Sequence, residues 1–490
     1  MKYFLIKTEK ALFYFLAFAA FWQLRLVWVP GEKVFNEWTA FSLYATDIII
    51  AAIFILWLGR VKCKRRLAQN PSPPSLKGGC KIGSPPLGGA KGDFFYENIT
   101  LGLFLLFCAL SLFTAFDKVL AGYRFIKLLE FVGLYFYVRY NFAGFYGLKR
   151  FWQWFVAGAL SQSVVAIAQF LTQKSLGLKF FAESPLASSF DGVAKIIVDG
   201  QKFIRAYGLV PHPNILAAML VVALFGLVWL VIFRHSDPAV AGEESRGSVA
   251  TRTADPAAST SLGLRMTIKN TLFIVIFVLL SVALFFTFSR GVIVVGGVLF
   301  LVWLAYLWRQ RENRRIVFSI FLLFAICYSL SAIIYWPYVS ARYDLTALPE
   351  SQSVNLRFFY DQAALDFVKT NPWLGVGQGN FTVALREVLV LPGWQYQPAH
   401  NIYLLAAAET GLLSLLAFLV LLILTIRSAW RRIKESSVSC LLLIVFFLLL
   451  IGSFDHFLWD LQQGQILFWL MLGLLASSRP RSSRPRSNYI

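Results

Sequence analysis

Stretches of about twenty apolar residues recur along nearly the whole chain, and they leave it few ways to fold. A backbone in hydrocarbon has no water to bond, so a span must satisfy its own N–H and C=O groups, as a helix does. Such stretches lie near residues 11–29, 40–59, 98–116, 119–140, 151–171, 212–233, 270–289, 291–308, 315–336, 401–426, 439–458 and 463–477. The expected fold is all-α and polytopic, with about twelve transmembrane helices in a single integral-membrane domain, residues 1–490. Tight hairpins at Phe116-Asp117-Lys118 and Ser289-Arg290-Gly291 leave that count open by one or two. Only 14% of the residues are charged, too few to cover a soluble globule of 490 residues.

A net charge of +21 can indicate a nucleic-acid partner, but here Lys and Arg sit in short clusters between apolar runs. That is how a membrane protein sets its orientation, so no nucleic acid is expected. Lys2, Lys7 and Lys10 precede an apolar run, and Ala17-Phe18-Ala19 imitates a signal-cleavage site. The run continues to about Val29, so it reads as an uncleaved first span. With both termini in the cytoplasm, 31 of the 46 basic residues fall in cytoplasmic segments and three within spans. The other 12 lie mostly in two long outer loops, 172–211 and 337–400. The expected site is the cytoplasmic (inner) membrane.

The cytoplasmic loops 60–97 and 234–269 are expected to be disordered over 70–92, which repeats Ser-Pro-Pro followed by Gly-Gly, and 235–262, rich in Ala, Ser and Thr. The basic tail 478–490 suits an anchor to anionic lipid. In the large outer loop, Leu356–Thr370 spaces Phe359, Ala363 and Phe367 four apart, which predicts an amphipathic helix on the outer membrane surface. Cys63 and Cys80 lie in a cytoplasmic loop and Cys108, Cys327 and Cys440 in apolar runs, so no disulfide is expected. No Cys/His cluster has metal-ligand spacing, and no cofactor is implied.

Charges in or beside spans are expensive and therefore informative. Arg205, Arg290, Arg357 and His400 stand on the outer side, with Arg124 and Lys127 a turn or two down the fourth span. Cations converging on one face suit an anionic substrate, and the planar fork of Arg suits phosphate. Plainer readings stand beside these. Arg290 as a topological stop would run against the positive-inside trend, Arg205 could be a solvated loop charge, and an amphipathic helix puts Arg357 at headgroups anyway. Lys127 and Glu130 have ion-pair spacing. His400 could merely cap the next span beside Asn401, His212 orient a Pro-rich turn, and His456, between Asp455 and Asp460, serve structure. Gly375, Gly377 and Gly379 lack the strand of a phosphate loop and suit a tight turn.

Four segments resemble the O-antigen ligase/polymerase superfamily, in that family's order: Arg205-Ala-Tyr-Gly-Leu-Val-Pro-His-Pro-Asn214, Thr287-Phe-Ser-Arg290-Gly, Arg357 with Asn371-Pro-Trp-Leu-Gly-Val-Gly-Gln-Gly-Asn-Phe381, and Pro398-Ala-His400-Asn401 with Glu409 and Gly411. They cover about residues 200–425. The resemblance implies a membrane glycosyltransferase, metal-independent, at the outer face of the cytoplasmic membrane. Its donor would be a glycan on a polyprenyl diphosphate, and its acceptor a hydroxyl of a glycan, lipid or protein. By the same resemblance Arg205 and Arg290 would hold the diphosphate and His400 would assist the acceptor, making these three catalytic. Arg357, Asn214, Asn401, Arg124 and Lys127 would bind substrate. The motifs do not separate ligase from polymerase or protein O-glycosyltransferase. A transporter or flippase is the rival of another class, for which internal repeats and paired broken helices are expected.

Orientation is testable in intact cells. Single cysteines in 172–211 or 337–400 are expected to react with a membrane-impermeant reagent, and those in 70–92 or 235–262 to be protected. Labelling at Ser353 only after permeabilisation overturns this orientation.

Overall fold

A computed structural model describes residues 2–29, 36–69, 91–233, 256–343 and 348–477. The described residues are 74% helical with almost no sheet. In order come α1 (Lys2–Ala19), β1 (Arg25–Trp28), β2 (Phe41–Tyr44), α2 (Ala45–Gln69), α3 (Lys91–Leu110), α4 (Lys118–Phe145) and α5 (Leu148–Thr172). They are followed by β3 (Lys195–Val198), β4 (Gln201–Ile204), α6 (Pro213–Ile232), α7 (Pro256–Phe286), α8 (Arg290–Trp308), α9 (Arg314–Ile334), α10 (Trp336–Tyr343) and α11 (Leu348–Thr370). Last are α12 (Phe381–Val388), α13 (Ile402–Trp430), α14 (Ser436–Gly452), α15 (Phe457–Asp460) and α16 (Gln462–Ser477). Among the described residues, six helices are long and apolar enough to cross a membrane: α3, α5, α6, α8, α9 and α13. Shorter apolar helices lie at Asn270–Phe286 and Ser436–Gly452. The other expected spans meet helices too, but α4 carries Arg124, Lys127, Glu130 and Arg139, and α16 is only 16 residues long.

The first expected span, 11–29, is corrected. The helix ends at Ala19, and Arg25–Trp28 pairs antiparallel with Phe41–Tyr44. Arg25 explains this: a guanidinium in hydrocarbon needs partners, and the hairpin supplies the Glu37 carboxylate and the Tyr44 hydroxyl, the latter at 2.7 Å. Residues 60–69, 91–97 and 256–269, expected in loops, extend α2, α3 and α7, because propagating a helix costs less than starting one. Residues 70–90, 234–255 and 478–490 lie outside the described residues, with most of the loop expectations and Cys80.

α6 is the central helix, buried from Pro213 to Trp229 and packed by α5, α7, α8 and α14. Apolar helices in lipid gain little hydrophobic energy from each other, so close van der Waals packing and polar contacts hold the bundle. Polar groups gather at the two ends. At one end Glu9 accepts from Arg60 at 2.8 and 2.9 Å and from the Tyr137 hydroxyl, while Arg139 pairs with Glu97. The other end holds the site described below.

α11 encloses the expected Leu356–Thr370 helix but does not simply lie on a membrane surface. Tyr360 and Ala364 are buried against Leu385, Ala399, Leu405 and Ala408. α13 is broken at Gly411, whose φ of 84° and ψ of 166° suit glycine. A break in hydrocarbon frees backbone groups that must find partners. The loop after α11 supplies them: Leu412 N–H donates to Pro372 O at 2.8 Å, and Val376 and Gly377 donate to Ala408 O and Glu409 O, each at 2.9 Å. A Cβ on Gly411 would sit 2.0 Å from Trp373 O.

Gly411→Ala is therefore expected to destabilise, with backbone strain alone worth about 1–3 kcal/mol. Gly297→Ala, whose Cβ would meet only Phe324 at 4.0 Å, should be tolerated. Thermal unfolding in detergent compares the two, and equal midpoints would contradict the account.

Candidate active site

Arg205 leaves the β3–β4 hairpin into a loop that two glutamines of α5 hold from behind. Gln169 Oε1 accepts from Gly208 N–H at 2.8 Å, and Gln162 Oε1 accepts from Leu209 N–H at 2.6 Å. Pro213 then opens α6, and His212 Nδ1 caps it by accepting from Asn214 N–H at 3.2 Å. The Arg205 side chain is 4% exposed, so its charge must be answered by the protein. Its Nε donates to Thr287 O at 2.6 Å and its Nη2 to Asn214 Oδ1 at 2.9 Å. That oxygen also accepts from the Ser289 hydroxyl at 2.9 Å, and Asn214 Nδ2 donates to Asp455 Oδ2 at 2.7 Å. One amide thus ties together the start of α6, the α7–α8 turn and the α14–α15 turn.

His400 stands two residues before α13, which Asn401 caps by accepting from Tyr403 and Leu404 N–H. Its backbone N–H donates to the Asp361 carboxylate of α11. Its ring is nearly parallel to Tyr360 at 6.0 Å and meets the His456 ring edge-on at 5.0 Å. Nδ1 of His400 is buried without a protein partner. His456 is fixed in turn: its N–H donates to Asp455 Oδ1, its Nδ1 lies 2.9 Å from the Asp460 carboxylate, and its ring meets Trp38 at 4.9 Å.

Burial and the neighbouring His456 pull His400 down to about 3. Burial and Arg205 pull His212 to about 3. Burial works against charge on His456 as well, but Asp460 and Asp455 outweigh it and raise that residue. Burial would raise Asp455, yet His456, His400, His212 and Arg357 bring it to about 2. Near neutral pH the centre therefore combines an ionised Asp455 with a neutral His400, beside a His456 whose charged form Asp460 and Asp455 favour.

The other residues singled out in the sequence fall around this centre. Arg357, on α11, is within electrostatic range of Asp455, His400, His456 and His212. Arg290 turns aside: it donates to Arg342 O and lines a cavity of about 340 Å³ with Arg342, Phe285, Phe288, Tyr328 and Val339. Arg124 donates to Trp38 O at 2.9 Å and Asp460 O at 3.2 Å, bracing the turn that carries His456. Lys127 is engaged deeper in the bundle with Asp47 at 2.6 Å and Glu130 at 3.2 Å. Asp455 at the hub, Ser289 and the two glutamines were not singled out from sequence. Two aspartates and a histidine within six residues of a turn between apolar runs were the available signal.

This fold and site define a multi-pass helical membrane protein with a buried Arg/His/Asp centre at one end of its bundle. Residues 275–419 match the family model described as O-Antigen ligase. The match includes Ser289, Arg290, Arg357 and His400, and it supports membership of the O-antigen ligase superfamily and a ligase-like glycan-transfer function in the membrane. No curated protein matches the chain.

The Asn214–Asp455 bond is expected to behave as a switchable pair. Asn214→Asp removes the amide donor to Asp455 and sets two carboxylates against each other, so it should destabilise. Asp455→Asn should also destabilise. The double exchange restores an amide–carboxylate bond, so its loss should be smaller than the sum of the single losses in thermal unfolding. Simple additivity would deny the coupling.

Proposed function

We propose that the protein transfers a glycan from a polyprenyl diphosphate carrier to an acceptor hydroxyl at the outer face of the cytoplasmic membrane. The observation that carries this reading is the buried His400 ring, held neutral and with its Nδ1 unpartnered, set among Arg205, Arg357 and His456. In the proposed step the acceptor oxygen bonds to the anomeric carbon as the bond from that carbon to the diphosphate oxygen breaks. The hydroxyl proton passes to a ring nitrogen of His400, and the electron pair leaves on the diphosphate. Charge growing on that leaving group is best answered by cations already in place. Arg290 and Arg342, at the apolar cavity beside the centre, suit a headgroup whose chain is hydrocarbon. Arg205 is saturated by Thr287 and Asn214 on two of its nitrogens, which supports a part in shaping the site and its field. Asn401 works as a cap, and the contacts of Lys127 favour the ion-pair reading over substrate binding.

A transporter also uses broken helices, and α13 is broken at Gly411. Here the opened backbone is matched by Pro372–Gly377, with Ala408 O and Glu409 O accepting from Val376 and Gly377 N–H, which favours transfer. The acceptor class, and with it ligase against polymerase, is read by deleting the gene and examining the glycans. Full-length polymer stranded on the carrier means ligase, and single repeat units on the final acceptor mean polymerase.

His400→Ala is expected to fold and to bind the lipid-diphosphate donor normally while transfer falls by about 10²–10⁴. His400→Gln, which accepts a hydrogen bond but no proton, should fall similarly. Donor binding and single-turnover transfer in lipid nanodiscs separate the steps, and full turnover by His400→Gln would remove proton transfer from this residue. Arg290→Lys keeps the charge but loses the fork, so a loss of about 10²–10³ is expected.

A further inference from the structure

We propose that His456, clamped by Asp460 and Asp455, is a positioning residue whose fixed positive charge against the His400 ring keeps that ring unprotonated on the acid side of neutrality. The inference rests on the glycan-transfer reading for its purpose, but not for its physical content.

The geometry is specific. His456 is held at three points: its backbone on Asp455, its Nδ1 on Asp460, and its ring against Trp38 on one side and His400 on the other. It is 7% exposed, so water cannot screen its charge from its neighbour 5.0 Å away. The charged and titratable groups around it are Asp455 on its own turn, Asp460 on α15, His400 before α13, His212 before α6, and Arg357 on α11. Arg124 of α4 reaches the same turn through the Asp460 carbonyl. Two carboxylates thus favour the charged form of His456. His400 has its backbone N–H, not its ring, on the Asp361 carboxylate.

The direction of the effect follows from the sign of the charge. A cation beside His400 opposes a second one, so His400 stays neutral at pH values where a free imidazole, near pH ~6.5, would be protonated. Removing the His456 charge allows the His400 midpoint to rise toward that free value. Weakening the clamp with Asp460→Asn acts in the same direction.

The test follows the His400 ring by NMR titration in the full-length protein in nanodiscs, alongside the pH profile of transfer. In the wild type, His400 should stay neutral down to well below pH ~6 and the transfer rate should hold on the acid side. In His456→Gln the His400 midpoint should move up, with burial still holding it below the free value, and the acid limb of the transfer profile should move up with it. His456→Lys, which restores a cation, should bring both back toward the wild type. A structural role alone would lower the rate evenly without moving the acid limb. An unchanged His400 midpoint in a folded His456→Gln protein overturns the proposal. If the midpoint moves but no preparation transfers glycan, the charge coupling stands and the glycan-transfer reading is what has failed.

Discussion

Asp455 is a carboxylate buried among three histidines and two arginines, and the site depends on how its two oxygens are used. Oδ2 takes the Asn214 amide and through it orders Arg205 and the Ser289 hydroxyl. Oδ1 takes the backbone of His456 and so places the ring that faces His400. An isolated buried carboxylate would be prohibitively costly, and so would an isolated buried guanidinium. Each is answered through the Asn214 amide, which accepts from Arg205 at 2.9 Å and donates to Asp455 at 2.7 Å. Loss of Asp455 or of the Asn214 amide therefore leaves a buried charge without its hydrogen-bond partner.

The scaffold repeats this logic on a larger scale. Lipid supplies no hydrogen bonds, so every interruption of a helix in the bundle has to be matched from elsewhere in the chain. The broken α13 is matched by Pro372–Gly377, and the Arg25 charge by the β1–β2 hairpin with Glu37 and Tyr44. Both interruptions bring a distant segment to the end of the bundle that carries the site. Trp38, next to the hairpin, touches His456, and the loop closing α13 continues toward α12, which packs with α11 around Tyr360 and so near His400.

Much of this was legible in the amino-acid sequence where one local rule decided the outcome. Apolar run length marked the helices, although α4 and α16 show why length and composition alone recover only six spans. Arg205, His400 and Asn214 drew notice because each is polar beside an apolar run, and the structure brings them around one carboxylate. Arg290 drew notice on the same ground, yet its guanidinium points to a neighbouring cavity, since adjacent residues of a turn can face opposite ways. His456 was set aside as structural and Asp455 was named only as its neighbour, because their importance comes from α6 and the start of α13, some 240 and 55 residues away in the chain. The first span was misplaced because hydropathy counts Arg25 as one cost in a sum, whereas a buried guanidinium has to be solved individually.

The cap of α6 carries a consequence for tautomers. Imidazole has two ring nitrogens, and in a neutral ring one bears hydrogen while the other offers a lone pair. His212 Nδ1 receives the Asn214 amide proton, so its lone pair is spent there and the hydrogen must sit on Nε2. With burial keeping the ring neutral, His212 can present only an N–H to whatever lies beside it. His400 is under no such constraint, because Asn401 rather than its own ring caps α13. Two neutral imidazoles in one centre therefore have opposite capacities, one restricted to giving a hydrogen bond and the other free to take one.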